Sequence, residues 1–460
     1  MVKKTIKNLV GRFFPNQKNP DGGPQRYEHD AHRINKRRVS RHAIKVCEVL
    51  AQHGYEGYIV GGAVRDLLAG LEPKDFDVAT NATPEQIRPL FRRARIIGRR
   101  FRLVHVVFGR EVIEASTFRG VSDDAQHTDQ HGRILRDNLF GSQQDDAARR
   151  DFTLNALYYD PISEVVIDYH NGVADLQNRI VRMIGDPDTR YREDPVRMMR
   201  AFRFAAKLDA TIEPATLAPI QSLAPLLGNV PGSRLVDEFI KLLTCGNAMS
   251  SLTALRDAGL HKPVFPLMDD IWALEEGKAF IDRALNRTDA RVRGGRPNSP
   301  GFLFAALLWP LLRQEWQVLQ KDGQPLIEAL SQAAESVIAR QTAALPIQRR
   351  FQSDMRDIWF MQPRFERTSP KAIRRMLSQP RFRAAVDFLQ LRAESREVDS
   401  VLAQWWMDLA NGNDDVRDDM IANLRSSPTG PKTTTRRRRG GRRRSKRPSA
   451  TARQPAQDDS

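Results

Sequence analysis

Apolar residues recur at helical spacing over residues 41–53 (Ile44, Val46, Cys47, Val49, Leu50), with Ser40 placed to cap the segment and Gly54 to stop it. The period then changes. Residues 55–60 read as a turn and a buried strand that runs into Gly61-Gly62, and residues 64–68 restart a helix. Lys74-Asp75-Phe76-Asp77-Val78 alternates polar and apolar positions, as a half-buried strand does, and the strand closes at Ala79-Thr80. Thr83 caps a helix over residues 84–93, with proline at its first position and Glu85 in its first turn. Residues 104–108 and 112–116 are β-rich arms around Gly109-Arg110-Glu111, which predicts a hairpin. From residue 194 to about 424 the helical period takes over, punctuated by Pro225, Pro231, Pro263 and Pro266, and residues 283–300 read as a loop. The pattern predicts a small α/β (α+β) head followed by a long all-α region.

Composition narrows the class. A chain of 460 residues is long enough for about three structural units. Its two cysteines, Cys47 and Cys245, make neither a disulfide framework nor a thiolate metal cluster. No apolar run is long enough to cross a bilayer. Residues 301–312 come nearest, and Pro310 with its flanking charges suits a buried helix. The N-terminus lacks the apolar stretch of a secretory signal, so a cytoplasmic protein is expected. The net charge of +17 is placed at the ends: residues 426–460 hold 11 Lys/Arg against 2 Asp, and residues 1–40 hold 10 against 3 acidic residues. Such arms bind polyanions through phosphate contacts, so nucleic acid is the expected partner. The expected division is a basic, mostly disordered arm (1–40), a head (41–185), a helical neck (186–250), an all-helical RNA-binding body (251–425) and a disordered Arg-rich tail (426–460).

Chemistry concentrates around residues 61–77. On one strand Asp75 and Asp77 would project the same way, toward a shared divalent ion, with Phe76 between them in the core. Gly61 and Gly62 let backbone N–H groups approach a polyanion, and Arg65 follows as a forked cation. Asp66 either orients Arg65 or caps the helix. A nucleoside triphosphate held over magnesium for attack by a hydroxyl fits this layout.

GGAVRDLLAG…PKDFDVAT resembles the signature of the DNA-polymerase-β-like nucleotidyltransferases, in the class that holds bacterial poly(A) polymerases and tRNA CCA-adding enzymes. The resemblance extends to RRDFTLNAL (residues 149–157) and to REDPVRMMRAFRF (residues 192–204). It implies a nucleotidyltransferase head with a small mixed sheet, ATP as substrate and Mg²⁺ or Mn²⁺ held by Asp75, Asp77 and a third carboxylate, assigned to Glu114. It also puts Asp151 in the catalytic group. Arg149, Arg150 and Asn155 fall among the nucleotide contacts, with only one of the two arginines facing the nucleotide. The bland alternative for Asp151 is a helix cap for residues 152–157. Glu193, Asp194 and Arg197 would choose the base, Asp194 and Arg197 sharing one helical face, and Arg200 and Arg203 continue that stripe.

Seven arginines and no acidic residue fall in 88–102, a basic ridge that includes Arg99, Arg100 and Arg102. IIGRRFRLVHVVF there resembles the stretch that separates the two branches of the class. With the tail arginines Arg436, Arg437, Arg438, Arg439, Arg442, Arg443 and Arg444, it favours polyadenylation of RNA 3′ ends over CCA addition to tRNA. An inert RNA-binding protein on the same fold is the third reading. RNA 3′ ends and RNA-decay proteins are the expected partners, and a monomer the expected state.

Overall fold

The computed structural model describes residues 23–98, 102–120, 140–367 and 369–426, with residues 425 and 426 described through their backbone. The expectations for Arg99, Arg100 and the tail arginines, and for residues 1–22, lie outside these.

The head is one eight-stranded sheet. Its strands are β1 (Gln25–Tyr27), β2 (Gly57–Val60), β3 (Asp77–Thr80), β4 (Ala94–Ile97), β5 (Leu103–Phe108), β6 (Glu111–Thr117), β7 (Leu157–Asp160) and β8 (Val165–Asp168). They lie in the order β1-β8-β7-β2-β3-β6-β5-β4, and only β3 and β6 pair in parallel. One face is closed by α1 (Arg41–Gln52), α2 (Gly62–Leu68) and α3 (Pro84–Leu90), whose Val46, Cys47, Leu50, Val64 and Ile87 share a core with Val78, Val104 and Ile113. Ser40 caps α1 as expected, and Thr83 forms a capping box with Gln86 at the start of α3.

Register decides which side chains reach the other face. Val78 and Ala115 enter the closed core, so their neighbours Asp77 and Glu114, paired across β3 and β6, point the opposite way. Val60, Ala79, Tyr158 and Ile167 form a smaller cluster on that second face, beneath α4 (Gln143–Arg149).

Past the head, α5 (Pro187–Glu193) and α6 (Val196–Leu208) lead into a helical body. It comprises α7 (Gly232–Leu243), α8 (Ala248–Asp257), α9 (Gly277–Arg293), α10 (Pro300–Lys321), α11 (Leu326–Ala344) and α12 (Arg349–Met361). Their core runs back into the head through Phe152 and Leu154 and forward to Leu391; a separate apolar cluster spans residues 361–421. The apolar stretch of α10 is buried, as its sequence predicts. Among the described residues no helix is long and apolar enough to cross a membrane.

Four expectations change. Residues 23–40 are not a disordered arm: β1 adds an edge strand to β8, and His32 hydrogen-bonds the Glu164 carbonyl. The predicted strand over 74–80 begins only at Asp77, because Glu72 to Asp75 have no neighbouring strand to pair with. The helix predicted to Arg93 stops at Leu90, and β4 follows as an exposed edge strand, a fate that a run of arginines does not reveal. The loop read over 283–300 shrinks to residues 294–299, since Phe280, Ala284, Leu285 and Thr288 bury one face of α9.

Candidate functional site

A cleft of about 2330 Å³ opens between the second face of the sheet, the neck helices and the body. Asp75 and Asp77 line it. Their neighbour Phe76 is buried, so the predicted alternation holds although Asp75 precedes the strand. The Asp77 carboxyl is pushed up to about 6 by withdrawal from bulk water, then by the Glu114 and Asp75 charges, against the pull of Arg150. Two carboxylates side by side in a cleft, one of them withdrawn from water, are a hard-oxygen donor set, which fits Mg²⁺ or Mn²⁺.

Glu114 departs from the expectation. It lies beside Asp77 in register but does not line the cleft: His105, opposite it on β5, takes its carboxylate at 3.2 Å. Among the described residues no three acidic, His or Cys side chains stand ready to hold an ion together. The His105 ring across the hairpin gives the Glu114 carboxylate a polar neighbour away from the cleft.

The glycine turn follows its chemistry. Gly61 has φ +65° and ψ −122°, and a Cβ there would stand 3.0 Å from Arg150 Nη1. Arg65 is buried behind the turn, and that burial lowers its pKa against the pull of Asp66. Its Nε and Nη2 donate to Asp66 Oδ1 at 2.9 and 2.7 Å, and its Nη1 to Asn155 Oδ1 at 2.6 Å. Asp66 also takes Lys207 Nζ at 2.6 Å, so it orients two cations and does not cap the helix.

In the second motif Asn155 donates to Asp151 Oδ1 at 2.9 Å, and Arg200 pairs with Asp151 Oδ2 at 2.8 Å. Burial opposes the Asp151 charge, but Arg200, Asn155 and the Phe152 N–H outweigh it and lower its pKa. The segment after it is a single 3-10 turn, Thr153–Asn155, with Phe152 at its N-terminal boundary and no side-chain cap, so the helix-cap role for Asp151 does not hold. The two arginines diverge. Arg150 is fixed by Asp146 Oδ2 (3.0 Å), Tyr158 Oη (3.1 Å) and the Asn155 carbonyl (3.3 Å), whereas Arg149 donates to the Gly120 carbonyl at 2.6 Å.

The neck completes the cleft. Asp194 ends α5 in an extended conformation; it pairs with Arg234 at 2.8 Å, and its buried Oδ1 has no partner. Arg197 Nη1 donates to Glu193 Oε2 at 2.8 Å and to the Arg190 carbonyl at 2.7 Å. Pro195 starts α6 without a side-chain cap, which leaves the Asp194 carboxylate to the cleft. Three guanidiniums surround the Phe204 ring, those of Arg203 at 4.2 Å, Arg65 at 4.7 Å and Arg200 at 5.7 Å. Behind them Arg203 is held by Glu238.

Sequence reading missed Asp146, Arg190, Lys207 and the body wall of Arg234, Lys241, Arg293 and Arg296, which line the cleft, and Tyr158, which holds Arg150 from behind. Two signals were present: Asp146 stands four residues before Arg150, and Lys207 extends the 197-200-204 stripe by one further turn. Arg102, assigned to RNA, pairs with Glu85 and does not line the cleft.

Three family models match in succession: the poly A polymerase head domain over residues 57–182, a probable RNA and SrmB-binding site of polymerase A over 209–271, and the polymerase A arginine-rich C-terminus over 322–445. Poly(A) polymerase I of Salmonella typhi is 45% identical over 390 residues, covering 82% of this chain and 84% of the relative. The CCA-adding enzyme of Levilactobacillus brevis is 41% identical over 215 residues, which cover 47% of this chain and 53% of that enzyme. A solved CCA-adding enzyme in its apo form shares the fold, with a TM-score of 0.52 at 18% identity over 87% of this chain and 86% of that one.

Proposed function

The chain belongs to the poly(A) polymerase I family and is a nucleotidyltransferase that adds AMP from ATP to RNA 3′ ends without a template; we propose that the cleft between head, neck and body is where it does so. The observation that carries this reading is the meeting, in one cleft, of Asp75 and Asp77 with Asp194 and Arg197. The first pair suits phosphoryl transfer, and the second suits the edge of a base.

Bound Mg²⁺ or Mn²⁺ would neutralise the triphosphate and ease loss of the proton from the RNA 3′-hydroxyl. Asp75 and Asp77 would hold it, and Glu114, in register with Asp77, would join them as third ligand only by leaving His105 and turning into the cleft. The left-handed turn at Gly61 brings backbone close to the phosphates, and Arg65 and Arg150 are held around that turn by Asp66, Asn155 and Asp146. Catalysis of this kind rests on positioning and charge placement. Asp151 orders Asn155 and Arg200 beside the nucleotide.

Asp194 and Arg197 would read the adenine edge: the N6 amino group donates to the unpartnered Asp194 Oδ1, and Arg197 donates to N1. Lys241, Arg293 and Arg296 are exposed on the body wall of the cleft, a basic track for the phosphates of the growing strand. A monomer acting in the cytoplasm with RNA-decay proteins completes the reading.

Presenting the purified protein with an unstructured RNA and each nucleoside triphosphate in turn tests it. Long ladders with ATP alone are expected. Extension of tRNA that needs CTP and stops after three additions would establish the CCA-adding alternative instead.

A further inference from the structure

The cleft has two ends, and the neck helix α6 joins them. Just before its first turn Asp194 pairs with Arg234 of the body at 2.8 Å, beside the base-reading Arg197. At its last turn Lys207 Nζ reaches Asp66 Oδ2 on the head at 2.6 Å, and the Ala206 carbonyl accepts from Asn247 Nδ2 on the body at 2.7 Å. A nucleotide whose base sits at the first end leaves the second to the other substrate.

The head lines that second end with the loop from Leu71 to Lys74. Its start is fixed by the close of α2. Gly70 has φ +73°, its N–H donates to the Leu67 carbonyl at 3.1 Å, and the Leu71 N–H donates to the Asp66 carbonyl at 2.8 Å. In helix ends of this kind the residue after the glycine commonly packs back against an apolar residue in the last turns. Here the positions it would meet are Arg65 and Asp66, which bond each other and Lys207, so Leu71 finds no apolar partner there. It stays 37% exposed, and among the described residues it is the exposed large apolar side chain that lines the cleft. Pro73 restricts the chain after it. Lys74, next to Asp75, is exposed, lines the cleft as well, and has no hydrogen-bond or ion-pair partner among the described residues.

An apolar ledge followed by an unpaired cation matches the two surfaces of a nucleotide, its base and its phosphate. Position decides which nucleotide. α2 has seven residues and is thus about 10 Å long, and it separates the loop from the glycine turn at its other end. Phosphoryl transfer sets the attacking and leaving oxygens roughly in line across the phosphorus. With the triphosphate on the glycine turn and Arg150, the attacking strand comes from the side of the loop, where the body adds the exposed Lys241.

We propose that Leu71 and Lys74 form the subsite for the 3′-terminal nucleotide of the RNA acceptor. Leu71 packs against its base, and Lys74 holds the phosphate on its 5′ side, so that the 3′-hydroxyl is delivered to Asp75 and Asp77. This rests on the reading that those carboxylates run the transfer. Neither contact addresses the edge of a base, so the subsite accepts any terminal nucleotide.

The test is single-nucleotide addition from ATP on the full chain, with KM for a short oligoadenylate and KM for ATP measured separately. Leu71→Ser with Lys74→Met should raise KM for the oligoadenylate about tenfold and leave KM for ATP unchanged. On a long unstructured RNA the rise should be smaller, because phosphates farther upstream still meet the body. Leu71→Met and Lys74→Arg, which keep the apolar surface and the charge, should stay near the parent on both substrates. Lys74→Met alone should make the slope of log oligoadenylate affinity against log salt shallower by about 0.7. Both side chains are exposed, so the thermal midpoint should stay near that of the parent. An unchanged KM for the oligoadenylate overturns the proposal. An equal rise in KM for ATP also overturns it and assigns the loop to the triphosphate. Asp77→Asn separates the premise from the inference. If it keeps the full rate, the placement of the reaction fails and the subsite with it. If it loses the rate while the loop variants use the oligoadenylate as the parent does, the subsite fails alone.

Discussion

On the head side of the cleft the carboxylates of Asp75 and Asp77 have no hydrogen-bond or ion-pair partner among the described residues. On the neck side nearly every charge is matched: Arg197 with Glu193, Arg200 with Asp151, Arg203 with Glu238, Lys207 with Asp66. Burial, then the Glu114 and Asp75 charges, raise the affinity of Asp77 for a proton, whereas the paired cations are locked in place by partners reaching from other elements. The difference separates two tasks. Chemistry needs uncompensated negative charge that a cation can satisfy, and recognition needs donors and acceptors whose directions are settled before the ligand arrives.

Four changes would break or sharpen that contrast. The largest effect is expected on the head: Asp77→Asn should lower the rate of incorporation by roughly a thousandfold or more in single-turnover assays, with RNA affinity retained. The folded-state pKa of Asp77 is raised to about 6, so its ionised form opposes folding above that pH and ceases to do so as pH falls toward its unfolded value. Asp77→Asn should therefore hold or raise the thermal midpoint at neutral pH, and a clear fall would contradict the crowding of carboxylates. Next in size, Arg197→Ala should reduce kcat/KM for ATP by about a hundredfold and relax the preference over CTP, measured from competing nucleotides.

A smaller effect belongs to the bridge between the two sides. Lys207→Met should cost about tenfold in kcat/KM, because Asp66 loses one of its two cations and with it part of its hold on Arg65. The smallest is on the body: Lys241→Ala with Arg296→Ala should raise KM for RNA several-fold and leave KM for ATP alone. The slope of log affinity against log salt should become shallower by about 0.7 for each phosphate that the variant no longer neutralises. An unchanged salt slope would remove those residues from the RNA path.

Local pattern made the head legible. The period of α1, the Thr83 cap, the hairpin around Gly109 and the alternation through Phe76 are short-range signals, and each survives in the structure. The cleft residues named from motifs mostly do line it, because side-chain type and spacing record what a site needs. Pairing does not read out in the same way. Lys207 meets Asp66 across 141 positions, Arg190 reaches the carbonyls of Arg149 and Arg150 from 41 and 40 positions away, and nothing local announces either pairing. The same limit explains Glu114: its strand and register follow from pattern, but its turn toward His105 depends on which strand lies beside it. β1 and β4, edge strands of three and four residues, are too short to carry a readable period.

The division of labour is tested most directly by single-turnover addition of one nucleotide to saturating RNA, run with ATP and with CTP on the parent chain, Asp77→Asn and Arg197→Ala. The account predicts that Asp77→Asn slows both nucleotides by the same large factor and preserves their ratio, while Arg197→Ala shifts the ratio toward CTP. A changed ratio in the first variant with little loss of rate, or an equal loss for both nucleotides in the second, would contradict it.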